Sequence, residues 1–193
     1  MIADLVHANR SCRRFYENHL VDGRVLEELV DLARLSASGA NLQPLKYILA
    51  CQPRINAEIF SCLSWAGYLK NWPGPAPGER PTAYIVILGD TTIRKDFGVD
   101  HGIAGQSMLL GAREKGLAGC ILATIDRKSL RKILNIAAHL KILLVLAIGK
   151  PKEEIVIETV AADGSIRYWR DSHGVHHVPK RPLQEIIVAF HAP

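Results

Sequence analysis

Apolar and polar positions alternate along the chain with two distinct periods, and the boundaries between them mark its elements. Ile2, Leu5 and Val6, and then Val25, Leu26, Leu29, Val30, Leu32 and Ala33 between Asp22 and Ser36, recur at helical spacing and predict two early helices. Lys46 to Cys51 is short, apolar and closed by Pro53, which predicts a strand, and Ile55 to about Trp65 predicts a further helix. From Asn71 to Pro81, four prolines and two glycines exclude any regular element, so this stretch is expected to be a loop. Thr82 to Leu88 is β-branched and aromatic and predicts a strand, and Asp100 to Lys115 predicts a largely buried helix. A strand at Gly119 to Ala123, a helix capped by Asp126, a strand at Leu143 to Ile148 and another at Glu154 to Thr159 follow.

Beyond the turn at Asp163-Gly164, Tyr168 to Pro182 is polar, aromatic and rich in histidine, with little periodicity. The apolar Leu183, Ile186, Ile187, Val188 and Phe190 favour docking of this tail over disorder. Helices interleaved with strands predict an α/β or α+β three-layer domain, and 193 residues fit one such domain over 1–193.

Composition narrows the function classes. Cys12, Cys51, Cys62 and Cys120 are far apart and show no metal-binding spacing, so a reducing compartment fits best. The first residues lack a basic segment leading into an apolar run, and Ile142 to Ile148 is too short for a membrane helix, so a cytoplasmic protein without membrane partners is expected. The net charge of +5 is scattered, and the two basic clusters, Arg10 to Arg14 and Lys180-Arg181, suit a phosphate better than a nucleic-acid duplex.

Two segments carry candidate chemistry. Arg10-Ser11-Cys12-Arg13-Arg14-Phe15 crowds three guanidinium groups and a hydroxyl, the donor set that a phosphomonoester needs; alone, the signal is weak and composition favours a solvated basic turn. In Ser36 to Pro44, Ser38, Asn41 and Gln43 can hydrogen-bond the polar edge of a planar heterocycle and Gly39 admits close backbone approach, or the segment is a helix end and loop. Gly116 to Cys120 lacks dinucleotide-binding spacing. His173, His176 and His177 lack an evident cysteine or carboxylate partner in sequence, so packing is favoured over metal binding. Trp65, Tyr68 and Trp72 either line a site or fill core and interface.

Taken together and in order, these segments resemble the FMN-dependent nitroreductase family. An R-S-x-R-x-F/Y motif is matched by Arg10, Ser11, Arg13 and Phe15, and a P-S-x-x-N-x-Q-P segment by Ser38, Asn41, Gln43 and Pro44. A D-x-G-x-A-x-Q helix start is matched by Asp100, Gly102, Ala104 and Gln106, and a G-L-x-x-C turn by Gly116, Leu117 and Cys120. Gly149 and Pro151 match a G-x-P, and Lys180, Arg181, Pro182, Leu183, Glu185, Ile186 and Ile187 match a basic tail motif. Ala37 and Leu45 depart from the family's proline and tryptophan, and the residues after Cys120 depart from its W-x-G-G-F-D.

The resemblance implies a nitroreductase-like α+β three-layer fold with a central, mostly antiparallel sheet and a C-terminal arm, residues 165–193, exchanged in a homodimer. It implies FMN at the interface, with NADH or NADPH as electron donor and ping-pong hydride transfer to a small, aromatic or quinone-like acceptor. Arg10, Ser11, Arg13 or Arg14, Lys180 and Arg181 are then expected to hold the phosphate and ribityl chain. Ser38, Gly39, Asn41 and Gln43 of the partner copy are expected to face the ring, with backbone near Leu122 and Ala123. No catalytic side chain is demanded. A flavin-binding protein without turnover and a related flavin dehalogenase are the alternatives.

Overall fold

The computed structural model describes residues 1–192 and forms two compact units, residues 1–65 with 73–152, and residues 66–72 with 153–192. Residue 193, the last of the expected arm, lies outside the described residues. No helix among them is long and apolar enough to cross a membrane.

In the first unit the elements run α1 (Ile2–Ala8), α2 (Gly23–Leu35), β1 (Leu45–Ala50), α3 (Pro53–Ser61), β2 (Ala83–Asp90), α4 (Asp100–Glu114), β3 (Ala118–Leu122), α5 (Arg127–Ile133) and β4 (Leu140–Gly149). Four strands form one antiparallel sheet in the order β1-β2-β4-β3. Every residue of β2 is buried, as expected of a central strand covered on both faces. Ala83, Ile85 and Ile87 point to one face and join Leu26 and Leu29 of α2 and Met108 and Ala112 of α4 in the main core. Tyr84, Val86 and Leu88 point to the other, where Asn56 of α3 donates to the Thr82 carbonyl at 2.7 Å. Three layers result, and burial of each large core side chain contributes about 1.5–3 kcal/mol.

Two glycines permit close approach. At Gly111 a Cβ would stand 2.3 Å from Leu32 Cδ1, so α2 and α4 cross closely only because that position is bare. At Gly119 a Cβ would meet the Ala147 carbonyl at 2.6 Å, beside the strand pairing that anchors the basic segment.

Some boundaries move from their expected places. α3 begins at Pro53, whose fixed φ and missing N–H suit a first helical position, and it ends at Ser61, leaving Trp65 beyond it. β4 begins at Leu140, earlier than its apolar run, because pairing with Gly89 and Asp90 extends the ladder. Asp126 caps α5 through its carboxylate and the loop from 71 to 81 contains no helix or strand, both as the sequence indicates, and Asp22 caps α2 in the same way.

The second unit corrects the expectation of an aperiodic tail. β5 (Ile155–Thr159) pairs in parallel with β7 (His176–Lys180), and β6 (Trp169–Arg170) pairs antiparallel with β7, giving the order β5-β7-β6. Residues 176–180 are therefore a strand of their own chain's small sheet. Trp169 stacks on His177 at 4.0 Å, Tyr168 packs on Tyr68 at 4.9 Å, and Arg170 lies 4.7 Å from the centre of the Trp72 ring. Aromatic and ionic contacts replace the alternating apolar pattern on which sequence periodicity depends. A short helix, α6 (Leu183–Ile186), precedes an exposed end that carries Ile187, Val188 and Phe190.

Candidate functional site

The basic segment runs along the edge of the main sheet beside β3 and is held there by isolated bridges. Ser11 bridges Gly119 in parallel, Cys12 N–H donates to the Gly119 carbonyl at 3.0 Å, Tyr16 N–H to Lys150 at 2.9 Å, and Lys152 N–H to Arg14 at 3.0 Å. Phe15 and Cys12 are buried, and Arg13 and Arg14 between them are half-buried.

The arginines do different work. Arg14 makes a two-pronged ion pair with Glu79, Nε to Oε2 at 2.8 Å and Nη2 to Oε1 at 2.6 Å, and Lys152 adds a second cation at 3.0 Å. Hydrogen bonds from Arg14 chiefly, against some opposing burial, hold the Glu79 carboxyl at about 2. Arg14 is thus engaged within the protein. Arg10 donates to the Val6 carbonyl through Nη2 at 2.6 Å, while its buried Nε has no hydrogen-bond partner among the described residues. Arg13 donates through Nη1 to the Ser11 carbonyl at 3.1 Å. An unsatisfied, buried guanidinium donor next to a second guanidinium and a hydroxyl suits an anion such as a phosphate.

The small-residue segment is built around Asp100, at the start of α4. Its carboxylate accepts from Ser38 Oγ at 2.7 Å and from Gly39 N–H at 2.9 Å, and Ser38 Oγ in turn accepts from Gln43 N–H at 2.9 Å. Burial opposes its charge, but the bonds from Ser38 and Gly39, with Arg94 and His101 nearby, outweigh it and hold the carboxyl below the usual carboxylate range. Between these anchors Ala40, Asn41 and Gln43 all have positive φ, at 50°, 54° and 51°. Residues other than glycine rarely occupy this region, and here a buried carboxylate holds a run of them in place. Alongside lies a cavity of about 220 Å³ walled by Ser38, Gln43, Tyr47 and Asp100. Burial, aided by Asp100, pushes the Tyr47 hydroxyl up to about 12, so it remains a neutral donor.

Within one chain the two segments stand at opposite corners of the sheet. Ser38 to Gln43 precede Leu45 on edge strand β1, in register through Gly89 with Lys141, whereas Ser11 lies outside β3 at Gly119, in register with Ile148. That is seven residues along β4, roughly 23 Å, and four strand spacings across it, roughly 19 Å.

The other expected residues are placed as follows. Leu122 ends β3 with its side chain buried, so it can offer only backbone, and the exposed Ala123 has its carbonyl bonded by Arg127 at 3.2 Å. In the second unit, exposed Lys180 closes β7 and Arg181 pairs with Glu185 at 3.1 Å. Trp65 is core, packed on Phe60 at 5.8 Å, and Tyr68 and Trp72 pack within the second unit. The carboxylate partners of His177 come one from afar and one from nearby: Nδ1 lies 2.5 Å from Glu158, 19 residues away, and Nε2 lies 3.3 Å from Asp171, six residues away. No group of three or more potential metal ligands is found among the described residues. Sequence reasoning also missed Glu79 and the anchoring role of Asp100; only the acidic helix start hinted at the latter.

The fold and these two segments define a class, and comparison with known proteins identifies it. The Nitroreductase family model matches residues 6–150, and the chain belongs to that family. It is 21% identical to a Bacillus subtilis protein named as a candidate NAD(P)H nitroreductase, MhqN, over 78% of this chain and 88% of that one. It is 25% identical to an iodotyrosine deiodinase of Haliscomenobacter hydrossis, over 77% and 79%. Among solved structures, a Streptococcus pneumoniae nitroreductase family protein aligns over 98% of this chain and all (100%) of its own, with TM-score 0.73 and 15% identity. An FMN-dependent nitroreductase of Clostridium difficile aligns over 80% and 89%, with TM-score 0.65 and 22% identity.

Proposed function

We propose that the protein is an FMN-dependent NAD(P)H oxidoreductase whose sites are shared between two copies of the chain. The observation that carries this reading is the separation of the two segments: a phosphate-type cluster and a ring-edge cluster lie at opposite corners of one sheet, too far apart for one FMN within a single chain. A homodimer that sets one copy's Arg10 to Arg13 against its partner's Ser38 to Gln43 completes two equivalent sites.

FMN, when bound, supplies hydride acceptance and electron transfer. Arg10, Ser11 and Arg13 bind its phosphate, with Lys180 and Arg181 adding charge as the family resemblance indicates. Arg14 acts through Glu79 by fixing the edge segment on which those donors stand. Asp100 holds Ser38 and Gly39, and the strained backbone presents Asn41 and Gln43 to the polar edge of the ring. Backbone at Leu122 and Ala123 borders the same site. No side chain here is a nucleophile, and the acceptor is a small molecule reached after the nicotinamide leaves.

The purified protein is expected to carry or take up FMN, to run as a dimer in solution, and to lose its yellow absorbance when NADH or NADPH is added without oxygen. Failure to bind added FMN overturns the reading, and flavin that neither nucleotide bleaches assigns binding without turnover. The deiodinase relative keeps reductive dehalogenation as the second reading, tested by halide release from an iodophenol with the same donors.

A further inference from the structure

The small sheet of the second unit is organised around one histidine. His177 stands on β7, the central strand, and reaches every element beside it. Its Nδ1 lies 2.5 Å from Glu158 Oε1 on β5, and its Nε2 lies 3.3 Å from Asp171 Oδ2 in the turn that joins β6 to β7. Its ring stacks on that of Trp169 on β6, with centres 4.0 Å apart and planes within 7°. Trp169 and His177 are register partners, and Glu158 lies two residues beyond Val156, the β5 partner of His177, so strand alternation sets all three side chains on one face. His176 and Arg170, partners of each other, face the opposite way, where Arg170 pairs with Glu153. Among the described residues, the charged groups that face the His177 ring are therefore Glu158 and Asp171.

This arrangement fixes the protonation state. A neutral imidazole has one N–H and one lone pair, so it can donate to only one of two carboxylates, and the other would meet a lone pair. Asp171 is built as an anion: its Oδ1 accepts from the N–H groups of His173 and Val175, each at 2.9 Å. Burial opposes its charge, but the bonds from Val175, His177 and His173 outweigh it and hold the carboxyl below the usual carboxylate range. Both ring nitrogens of His177 must then carry protons, and the face of the resulting cation lies on the indole, whose π system attracts it. Burial also opposes charge on this ring, yet the bonds to Glu158 and Asp171 prevail and raise its pKa above the ordinary 6.5.

We propose that His177 is a pH-sensitive staple of the small sheet: its imidazolium ties β5 and the β6–β7 turn to β7, and loss of one proton to solvent releases the turn. The neutral ring keeps its N–H on the nearer carboxylate, Glu158, and turns a lone pair toward Asp171 Oδ2, so one attraction becomes a repulsion. Because folding favours the charged ring, the contribution is fully present below pH 6.5 and is lost as pH rises through the higher folded value. β7 ends at Lys180, beside Arg181, so alkaline release loosens the basic pair assigned above to the flavin phosphate; that consequence rests on the flavin reading.

The test uses the full chain as purified. Long-range proton–nitrogen NMR, with His177→Gln to assign the ring, is expected to show both His177 nitrogens protonated at pH 7 and Nε2 losing its proton first as pH rises. Hydrogen exchange of amides 169–178, corrected for the intrinsic base-catalysed rate, should quicken about tenfold from pH 6.5 to pH 9 relative to β2. His177→Gln should exchange fast at both pH values. Asp171→Asn still accepts from His173 and Val175 and sets an amide donor against Nε2, so its exchange should stay slow at both. A His177 ring with a single proton at pH 7 overturns the inference. So does a wild-type response to pH in either variant. None of these readouts involves flavin, so failure of the flavin reading leaves them standing.

Discussion

The two segments that converge on the proposed flavin site are held in opposite ways. Arg10 to Arg14 has no residue in left-handed backbone and is fixed by backbone bonds to Gly119 and Lys152 and by the Arg14–Glu79 pair at its edge. Ser38 to Gln43 has little ladder support and three residues in left-handed backbone, fixed by one buried carboxylate, Asp100. The first is a bridged edge segment that carries charge and can lose a side chain without losing its shape. The second is a shape that depends on a single side chain. Stability and affinity should therefore separate cleanly at the first segment and move together at the second.

The largest effect expected is at Asp100. Asp100→Ala removes the acceptor for Ser38 Oγ and Gly39 N–H and should cost about 3 kcal/mol in denaturant unfolding, with FMN affinity falling in parallel. Arg10→Ala and Arg13→Ala should instead each lower FMN affinity about tenfold or more, read by flavin fluorescence, with unfolding free energy changed by less than about 0.5 kcal/mol. Equal loss of stability at both segments would erase the contrast. Mixing copies that carry Arg10→Ala and Arg13→Ala with copies that carry Asp100→Ala, followed by subunit exchange, should restore flavin binding to about half of the mixed dimers' sites. No recovery would mean that each site is built within one chain.

A smaller effect is expected at Glu79. Its carboxyl sits at about 2 in the folded protein, below its ordinary value of 4.5, so the ion pair's contribution is fully present above pH 4.5 and is lost as pH falls toward 2. Glu79→Gln should cost about 1–2 kcal/mol at pH 7, and the gap from wild type should close in unfolding experiments between pH 4 and 2. The smallest is at Ala40, with φ of 50°: Ala40→Gly relieves backbone strain and should stabilise the protein by about 0.5–1 kcal/mol, while loosening the loop enough to weaken FMN binding slightly.

Much of the first unit is legible in sequence because its elements are amphipathic or continuously apolar: α2 and α4 bury one face, β2 and the second half of β4 bury both, and Asp126 caps a helix by local chemistry. The second unit is not, since β6 and β7 are short, half exposed and held by stacking and by pairs such as His177 with Glu158, 19 residues distant, which leave no period to read. The candidate site divides likewise. Arginine, serine, asparagine and glutamine announce their donors and acceptors in any context, so Arg10, Ser11, Arg13, Ser38, Asn41 and Gln43 could be named from residue type and order.

By itself, then, the sequence determines which segments are strands or helices where burial follows a period, and which side chains are fit for a phosphate and a ring edge. Only the tertiary structure decides that Arg14 is engaged by Glu79, that Asp100 rather than the loop's own composition shapes Ser38 to Gln43, and that the two segments occupy opposite corners of the sheet. Those outcomes rest on which groups come within about 3 Å across sequence separations of sixty residues or more, and on the order in which strands pair. Neither leaves a mark on local residue patterns, because the free energy that selects them is that of the packed whole.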